Sequence, residues 1–269
     1  MSKILVTGGN GVLGRAVSKL FLAEHINFVV GSRHKKTKNY SNERTDLDTN
    51  IEWIYMDLTK EEELDKITFD NIDIILHLAS SPNETINGQA ADIVLTRNLL
   101  KAIQNKNIKH FIYISIVGID RIPLAYYEGK LECERLVKES GVPYTILRAT
   151  QFHEFAEDLT NKLLRFPICL VPKALKIQPI QVEAVAMELS KIMKTSPLND
   201  TYDIGGKKIY NMGEIASSLL EARHESKWII NIPTFGGIMN AVAAGYSTCE
   251  NIVSSSNTWE EYLSNKYVH

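Results

Sequence analysis

Three glycines, Gly8, Gly11 and Gly14, follow the short apolar run Ile4, Leu5, Val6 and precede apolar residues spaced at Val17, Leu20 and Phe21. The run suits a strand buried on both faces, and the later spacing is helical. A strand, a glycine turn and a helix start in that order leave a chain few folds to choose from. Gly8 gives the sharp turn, Gly11 lets a pyrophosphate approach, and Gly14 lets helix and strand pack closely. The unpaired N–H groups of the first helical turn then form an anion site. In this context G-x-x-G-x-x-G reads as a dinucleotide motif, with Gly8, Asn10, Gly11, Val12, Leu13 and Gly14 as the cofactor-contacting residues.

Further strand-like runs at 27–32, 51–56, 72–78, 110–115 and 144–147 alternate with helical segments at 61–67, 86–105 and 124–140. Such alternation predicts an α/β protein with a parallel sheet between helices. Thr59 with Glu62 reads as a capping box, and 35–50 as a polar surface loop. After Arg148 the rhythm changes. A helix is expected over 152–165, an apolar loop over 167–172, a short strand over 177–180 and a helix over 182–193. The stretch 202–206 ends in a turn, Asn211 with Glu214 caps another helix, and Thr258 with Glu261 forms a second capping box. The expected division is a dinucleotide-binding domain over 1–150, closed by segments near 177–206. A small, irregular substrate-binding region over 151–269 follows, beyond the carboxyl ends of the strands.

Composition narrows the partners. A net charge of −2 over 269 residues gives no reason to expect nucleic acid or an anionic membrane. Cys133, Cys169 and Cys249 show neither a disulfide framework nor zinc spacing, and no leader or spanning segment is evident, so a cytoplasmic protein is expected.

Tyr126 and Lys130 stand four residues apart on one helical face. An ammonium beside a phenol lowers its pKa, which suits Tyr126 to protonate a carbonyl oxygen. Ser115, closing the strand upstream, is placed to donate a second hydrogen bond to that oxygen. At the end of the second strand the chain reads Val30-Gly-Ser-Arg-His-Lys-Lys36, with no acid. A protein selecting NAD places Asp or Glu there for the ribose 2′-hydroxyl. Ser32 and Arg33 instead suit a 2′-phosphate, so NADP(H) is favoured over NAD(H). Phe152 and His153 follow the sixth strand and are candidates to face substrate, His153 as a second proton donor or as a helix-start residue bonded locally. His77 reads as a satisfied core histidine. His25, His110 and His224 lack ligand spacing, so no metal is expected. Trp53, Trp228 and Trp259 read as packing anchors.

Taken together, Thr7–Gly14, Tyr113–Gly118, Tyr126–Lys130, Gly141–Arg148, Gln178–Val182 and Thr258–Leu263 resemble an atypical member of the short-chain dehydrogenase/reductase superfamily, in its NmrA-like, NAD(P)H-binding branch. The resemblance implies a Rossmann-type doubly wound sheet. It implies that Tyr126 and Lys130 hold the catalytic Tyr/Lys positions, with Lys130 also on the nicotinamide ribose. It further implies that Ala79, Ser80 and Ser81 line the cofactor and that Asp57 and Leu58 lie near the adenine. Ile116 stands where many relatives carry a second Ser, Ala149 where Pro is frequent, and Glu183 replaces a common Asp. The branch contains reductases, isomerases and regulators. The leading expectation is an NADPH-dependent oxidoreductase that reduces a small carbonyl or quinone. The alternative is an NADP(H)-sensing regulator without turnover. An epimerase or dehydratase acting on a nucleotide sugar is a third, for which the substrate region looks small. Segments 152–172 and 233–248 are expected to line the substrate pocket, and the oligomeric state is left open.

Overall fold

The structure is a computed structural model that describes residues 3–33, 51–82 and 84–267. The proposed loop 35–50 and the basic residues His34, Lys35 and Lys36 lie outside the described residues. The chain runs through β1 (Lys3–Thr7), α1 (Val12–Ala23), β2 (Phe28–Ser32), β3 (Glu52–Tyr55), α2 (Glu61–Leu64) and β4 (Ile72–His77). A small hairpin, β5 (Thr85–Ile86) and β6 (Gln89–Ala90), leads into α3 (Ala91–Ala102), β7 (His110–Ile116), α4 (Ala125–Glu139) and β8 (Tyr144–Ala149). Then come α5 (His153–Leu163), β9 (Ile168–Val171), β10 (Lys176–Ile177), α6 (Val182–Ile192) and β11 (Asp200–Ile204). The last elements are β12 (Tyr210–Asn211), α7 (Met212–Ala222), β13 (Trp228–Asn231), α8 (Gly236–Ala243) and α9 (Trp259–Tyr267).

Seven strands form a parallel sheet in the order β3-β2-β1-β4-β7-β8-β11. Flanked by helices, this is a Rossmann-like α/β fold. Leu5 sits in register with Val29 on one side and Ile75 on the other, and all three are fully buried. The strand order reverses beside β1, between its neighbours β2 and β4, and there a doubly wound sheet opens a crevice at the carboxyl ends. Polar groups inside the sheet are matched. The ring of His77 bonds Thr7 at 2.7 Å and Thr96 at 3.1 Å, the satisfied core histidine the sequence suggests.

The chain divides into two compact units. The first comprises Met1–Ser115, Gly129–Leu147 and Val185–Tyr202; the second comprises Ile116–Glu128, Arg148–Ala184 and Asp203–His269. In the second, Cys169, Val171, Ile215, Leu219 and Trp259 form a core of their own. Glu157 is buried within it and accepts hydrogen bonds from Arg223, Tyr262, Lys266 and Tyr267. Among the described residues no helix is long and apolar enough to cross a membrane.

Several local expectations need correction. The helix expected from residue 86 starts at Ala91, because Asn87 and Gly88, with φ of +51° and +78°, close the hairpin β5–β6. Two consecutive positive φ values are what a two-residue hairpin turn demands. The expected loop 167–172 contains β9, which pairs in parallel with β13. The short strand expected over 177–180 is instead β10, paired with β12. Residues 202–204 lie in β11, which ends at Ile204 just before Gly205 and Gly206. Thr59 does not cap α2: its hydroxyl donates to Asp57 at 2.7 Å, and the helix begins after Lys60. The Asn211–Glu214 and Thr258–Glu261 boxes both form reciprocally. Trp259 is fully buried, whereas Trp228 is 76% exposed and anchors nothing.

Candidate functional site

The turn after β1 is built by close backbone approach. Gly8 has φ of +73°, and a side chain there would bring its Cβ within 2.5 Å of the Ala79 nitrogen. The Gly11 N–H donates to the Gly8 carbonyl at 3.0 Å and closes the turn. Gly14 lies so near this loop that a Cβ would stand 2.3 Å from the Gly8 oxygen. Gly11 differs: a Cβ there would meet only the Gly8 oxygen, at 3.4 Å. The chain itself therefore does not need glycine at position 11 for packing. Gly11 is also the N-cap of α1 and offers no side chain to the first-turn N–H groups, which have no intrahelical partners.

Beside this turn a cleft of about 300 Å³ opens within the first unit. Of the anticipated cofactor residues, Gly8, Asn10, Gly11, Ser32, Arg33, Leu58, Ala79, Ser80 and Ser81 line it, from the ends of four adjacent strands. Four others do not. Val12 faces solvent, Leu13 is buried, Gly14 packs on the turn, and the Asp57 carboxylate accepts both the N–H and the hydroxyl of Thr59. The Asn10 amide donates to Ser32 at 3.0 Å, and its carbonyl oxygen is buried without a partner. Arg33 is exposed at the β2 end of the cleft, and Glu84, after β4, is the one carboxylate on the wall among the described residues. Open space before a helix N-terminus, an orphaned acceptor and a cationic rim fit a nicotinamide dinucleotide.

A buried network joins the cleft wall to α4. The Ser80 hydroxyl and the Ser81 N–H both donate to Asp92, each at 2.7 Å. Lys130 is 3% exposed; its ammonium lies 3.7 Å from Asp92, donates to the Ile114 carbonyl at 3.2 Å and sits 4.5 Å from the centre of the Tyr113 ring. Burial pulls the Lys130 pKa below its ordinary value, opposed chiefly by the Asp92 charge. Ser115 donates to the buried Glu134 carboxylate at 2.6 Å. Sequence reasoning missed Asp92 and Glu134. An acid in the first turn of the helix after the serine loop, and an acid one turn beyond Lys130, were the available signals.

Tyr126 stands in the first turn of α4, half-buried, 6.2 Å from the Tyr127 ring. It falls in the second unit, on a segment fixed by the Arg121 guanidinium 4.5 Å from the Tyr246 ring. Burial raises the Tyr127 phenol pKa. Phe152 precedes α5 and bridges to Ile180. His153 is buried, its ring stacked 4.9 Å from that of Tyr262, and neither ring nitrogen has a partner. Burial lowers its pKa to about 4, so the imidazole is neutral at pH 7. The local hydrogen bond considered for its side chain does not form; its backbone N–H bonds Ile180 instead. No group of three His, Cys, Asp or Glu side chains among the described residues could hold a metal ion.

A family model described as NAD(P)H-binding matches residues 8–191. The chain is 25% identical over 238 residues to a photosystem II assembly factor of Trieres chinensis, covering 86% of this chain and 72% of that one. It is 27% identical over 163 residues to a chloroplastic divinyl chlorophyllide a 8-vinyl-reductase of Cucumis sativus, covering 56% of this chain and 39% of the relative. Among solved structures, an NADPH-dependent quinone oxidoreductase of Escherichia coli complexed with NADPH superposes with a TM-score of 0.78 at 18% identity, covering 98% of this chain and 99% of that one. A triphenylmethane reductase of Citrobacter sp. gives 0.76 at 18% identity, with both chains covered in full. At these identities the superpositions speak for the fold.

Proposed function

We propose a reaction from one premise: this chain belongs to the NAD(P)H-binding family. The reading is an NADPH-dependent oxidoreductase that reduces a small carbonyl or quinone. The observation that carries it is the cleft at Gly11, free of packing demands, with Arg33 on its rim and no acid at the end of β2. The α1 first turn and Gly11 would hold the pyrophosphate, and Ser32 with Arg33 the 2′-phosphate. When bound, NADPH supplies a hydride. Tyr126 then gives its phenolic proton to the carbonyl oxygen, and Lys130, held as a buried cation beside Asp92, binds the ribose and favours the phenolate left behind. The quinone oxidoreductase and the vinyl-reductase, reductases by name, support this class. Three free cysteines agree with a reducing compartment, and we place the protein in the cytoplasm.

The test is NADPH oxidation by the purified chain against aldehydes, ketones and quinones, repeated with Tyr126→Phe. General acid catalysis is typically worth about 10²- to 10⁴-fold, so turnover should fall by that range with NADPH affinity unchanged. Equal rates would remove Tyr126 from the mechanism. A second reading, an NADP(H)-sensing protein without turnover, has one observation in its favour. The Ser115 proton is engaged by Glu134, so it is not directed at a substrate oxygen. Tight NADPH binding with no turnover across the panel would establish that reading instead.

A further inference from the structure

In the second unit, among the described residues, the sheet formed by β9 and β13 has one covered face. Residues two apart along a strand share a face, and the parallel register sets Trp228 beside Ile168 and Ile230 beside Leu170. These four are respectively 76%, 57%, 47% and 54% exposed. Their neighbours Cys169 and Val171 are buried, and Ile229 packs on the core containing Ile215 and Leu219. Phe166, just before β9, is also exposed and lengthens the strip. An aromatic side chain presents about 150–250 Å², so the strip offers on the order of 500 Å² of apolar surface, near the upper end for a lone monomer.

We propose that this face is where two copies of the chain meet, as a two-fold homodimer. A standard interface takes about 800 Å² from each partner, and about 65% of a homodimer's is apolar, which is close to 500 Å². The strip by itself supplies that quantity. A two-fold contact must also be complementary to itself, because the same patch appears on both sides. A face of one tryptophan and three aliphatic side chains satisfies this, having no charge to meet its own sign. The nearest cation on β13's approach, Lys227, is held by the Glu225 carboxylate at 3.0 Å and the Leu164 carbonyl at 2.8 Å. The Arg165 guanidinium lies 5.8 Å from the centre of the Phe166 ring. The two cations that precede the strands are thus engaged, which weighs against an anionic lipid surface as the occupant. Face-to-face sheets pack about 10 Å apart with interleaved side chains, and both strands present large ones for this.

The experiment is light scattering with size-exclusion chromatography, and sedimentation over a concentration series, on the full chain, on Trp228→Glu and on Ile168→Glu. The parent should be a dimer at micromolar concentration. Each variant should weaken association by at least about 30-fold, the scale of a central interface residue. Both sites are exposed, so circular dichroism and NADPH binding should stay at parental values, which keeps this test separate from that of the oxidoreductase reading. A parent that remains monomeric throughout, or a dimer that survives both substitutions, would overturn the proposal. Co-sedimentation of a monomeric parent with phosphatidylglycerol vesicles, lost in both variants, would overturn it in favour of a membrane surface.

Discussion

Valine at position 11 separates what the glycine turn does for folding from what it does for binding. The backbone at Gly11 has φ of −72°, which any residue adopts, and a Cβ there touches one atom at 3.4 Å. Replacing Gly at an N-cap by an apolar residue costs about 1 kcal/mol or less. For a chain of this size, 1 kcal/mol corresponds to roughly 2–4 °C in melting temperature. Gly8→Ala is the contrast. Its φ of +73° costs an L-residue about 1–2 kcal/mol, and its Cβ would lie 2.5 Å from a backbone nitrogen, an overpacking worth about 1–3 kcal/mol more. The sum, about 2–5 kcal/mol, predicts a melt lower by roughly 4–20 °C. Binding should sort the other way. The valine side chain would occupy the approach to the α1 amides, and losing two charge-assisted bonds, at about 1.5–3 kcal/mol each, weakens NADPH by more than about 100-fold. Thermal melts without ligand and calorimetric titration with NADPH measure both quantities. A folded Gly11→Val protein that binds NADPH like the parent would refute the cofactor site, and a Gly8→Ala protein that melts with the parent would refute the steric account.

Two further outcomes follow from charge. Arg33→Ala should narrow the ratio of NADPH to NADH affinity by about 10- to 150-fold and leave NADH nearly unchanged, as read by titration with both; an unaltered ratio would take Arg33 out of cofactor selection. Burial lowers His77 to about 3 and His110 and His153 to about 4, against an unfolded value near 6.5. The unfolded chain therefore binds more protons between about pH 4 and 6.5, so their contribution is complete above that window and is lost as pH falls through it. His153→Phe, which keeps the stack on Tyr262, should reduce the slope of stability against pH there by about 1.4 kcal/mol per unit, measured by urea denaturation.

Sequence reasoning succeeded where the determining interactions are local. The turn from β1 to α1 was legible because Gly11 and Gly14 both answer to Gly8 within six residues, although the close approach of Gly8 itself is to the distant Ala79. The boxes at Asn211 and Thr258 were legible because both partners lie three residues apart. The box at Thr59 failed for an equally local reason: Asp57 offered the hydroxyl a nearer acceptor. The hairpin before α3 was announced by Asn87-Gly88, a turn signal outweighed by the helical spacing around it. Strand β9 was illegible because its partner β13 lies far along the chain, and nothing in an apolar run between two prolines reveals so distant a pairing. The same limit hid the network of the site. Ser80 with Asp92, Asp92 with Lys130 and Ser115 with Glu134 are contacts between elements, and only the folded sheet puts them together.

The chain passes from one compact unit to the other at 115/116, 128/129, 147/148, 184/185 and 202/203. A ribosome making such a polypeptide cannot release a finished nucleotide-binding half early. With synthesis at about 5–20 residues per second, the segment that supplies β11 emerges many seconds after the glycine turn. Until then the nascent sheet carries an open edge at β8, a stretch during which chaperones have something to hold and proteases something to cut. Gene fragments that stop near residue 150 would keep the fingerprint and lose the seventh strand. Splitting this protein into two independently expressed halves at that point is therefore expected to give insoluble material, however well the cut respects the motif.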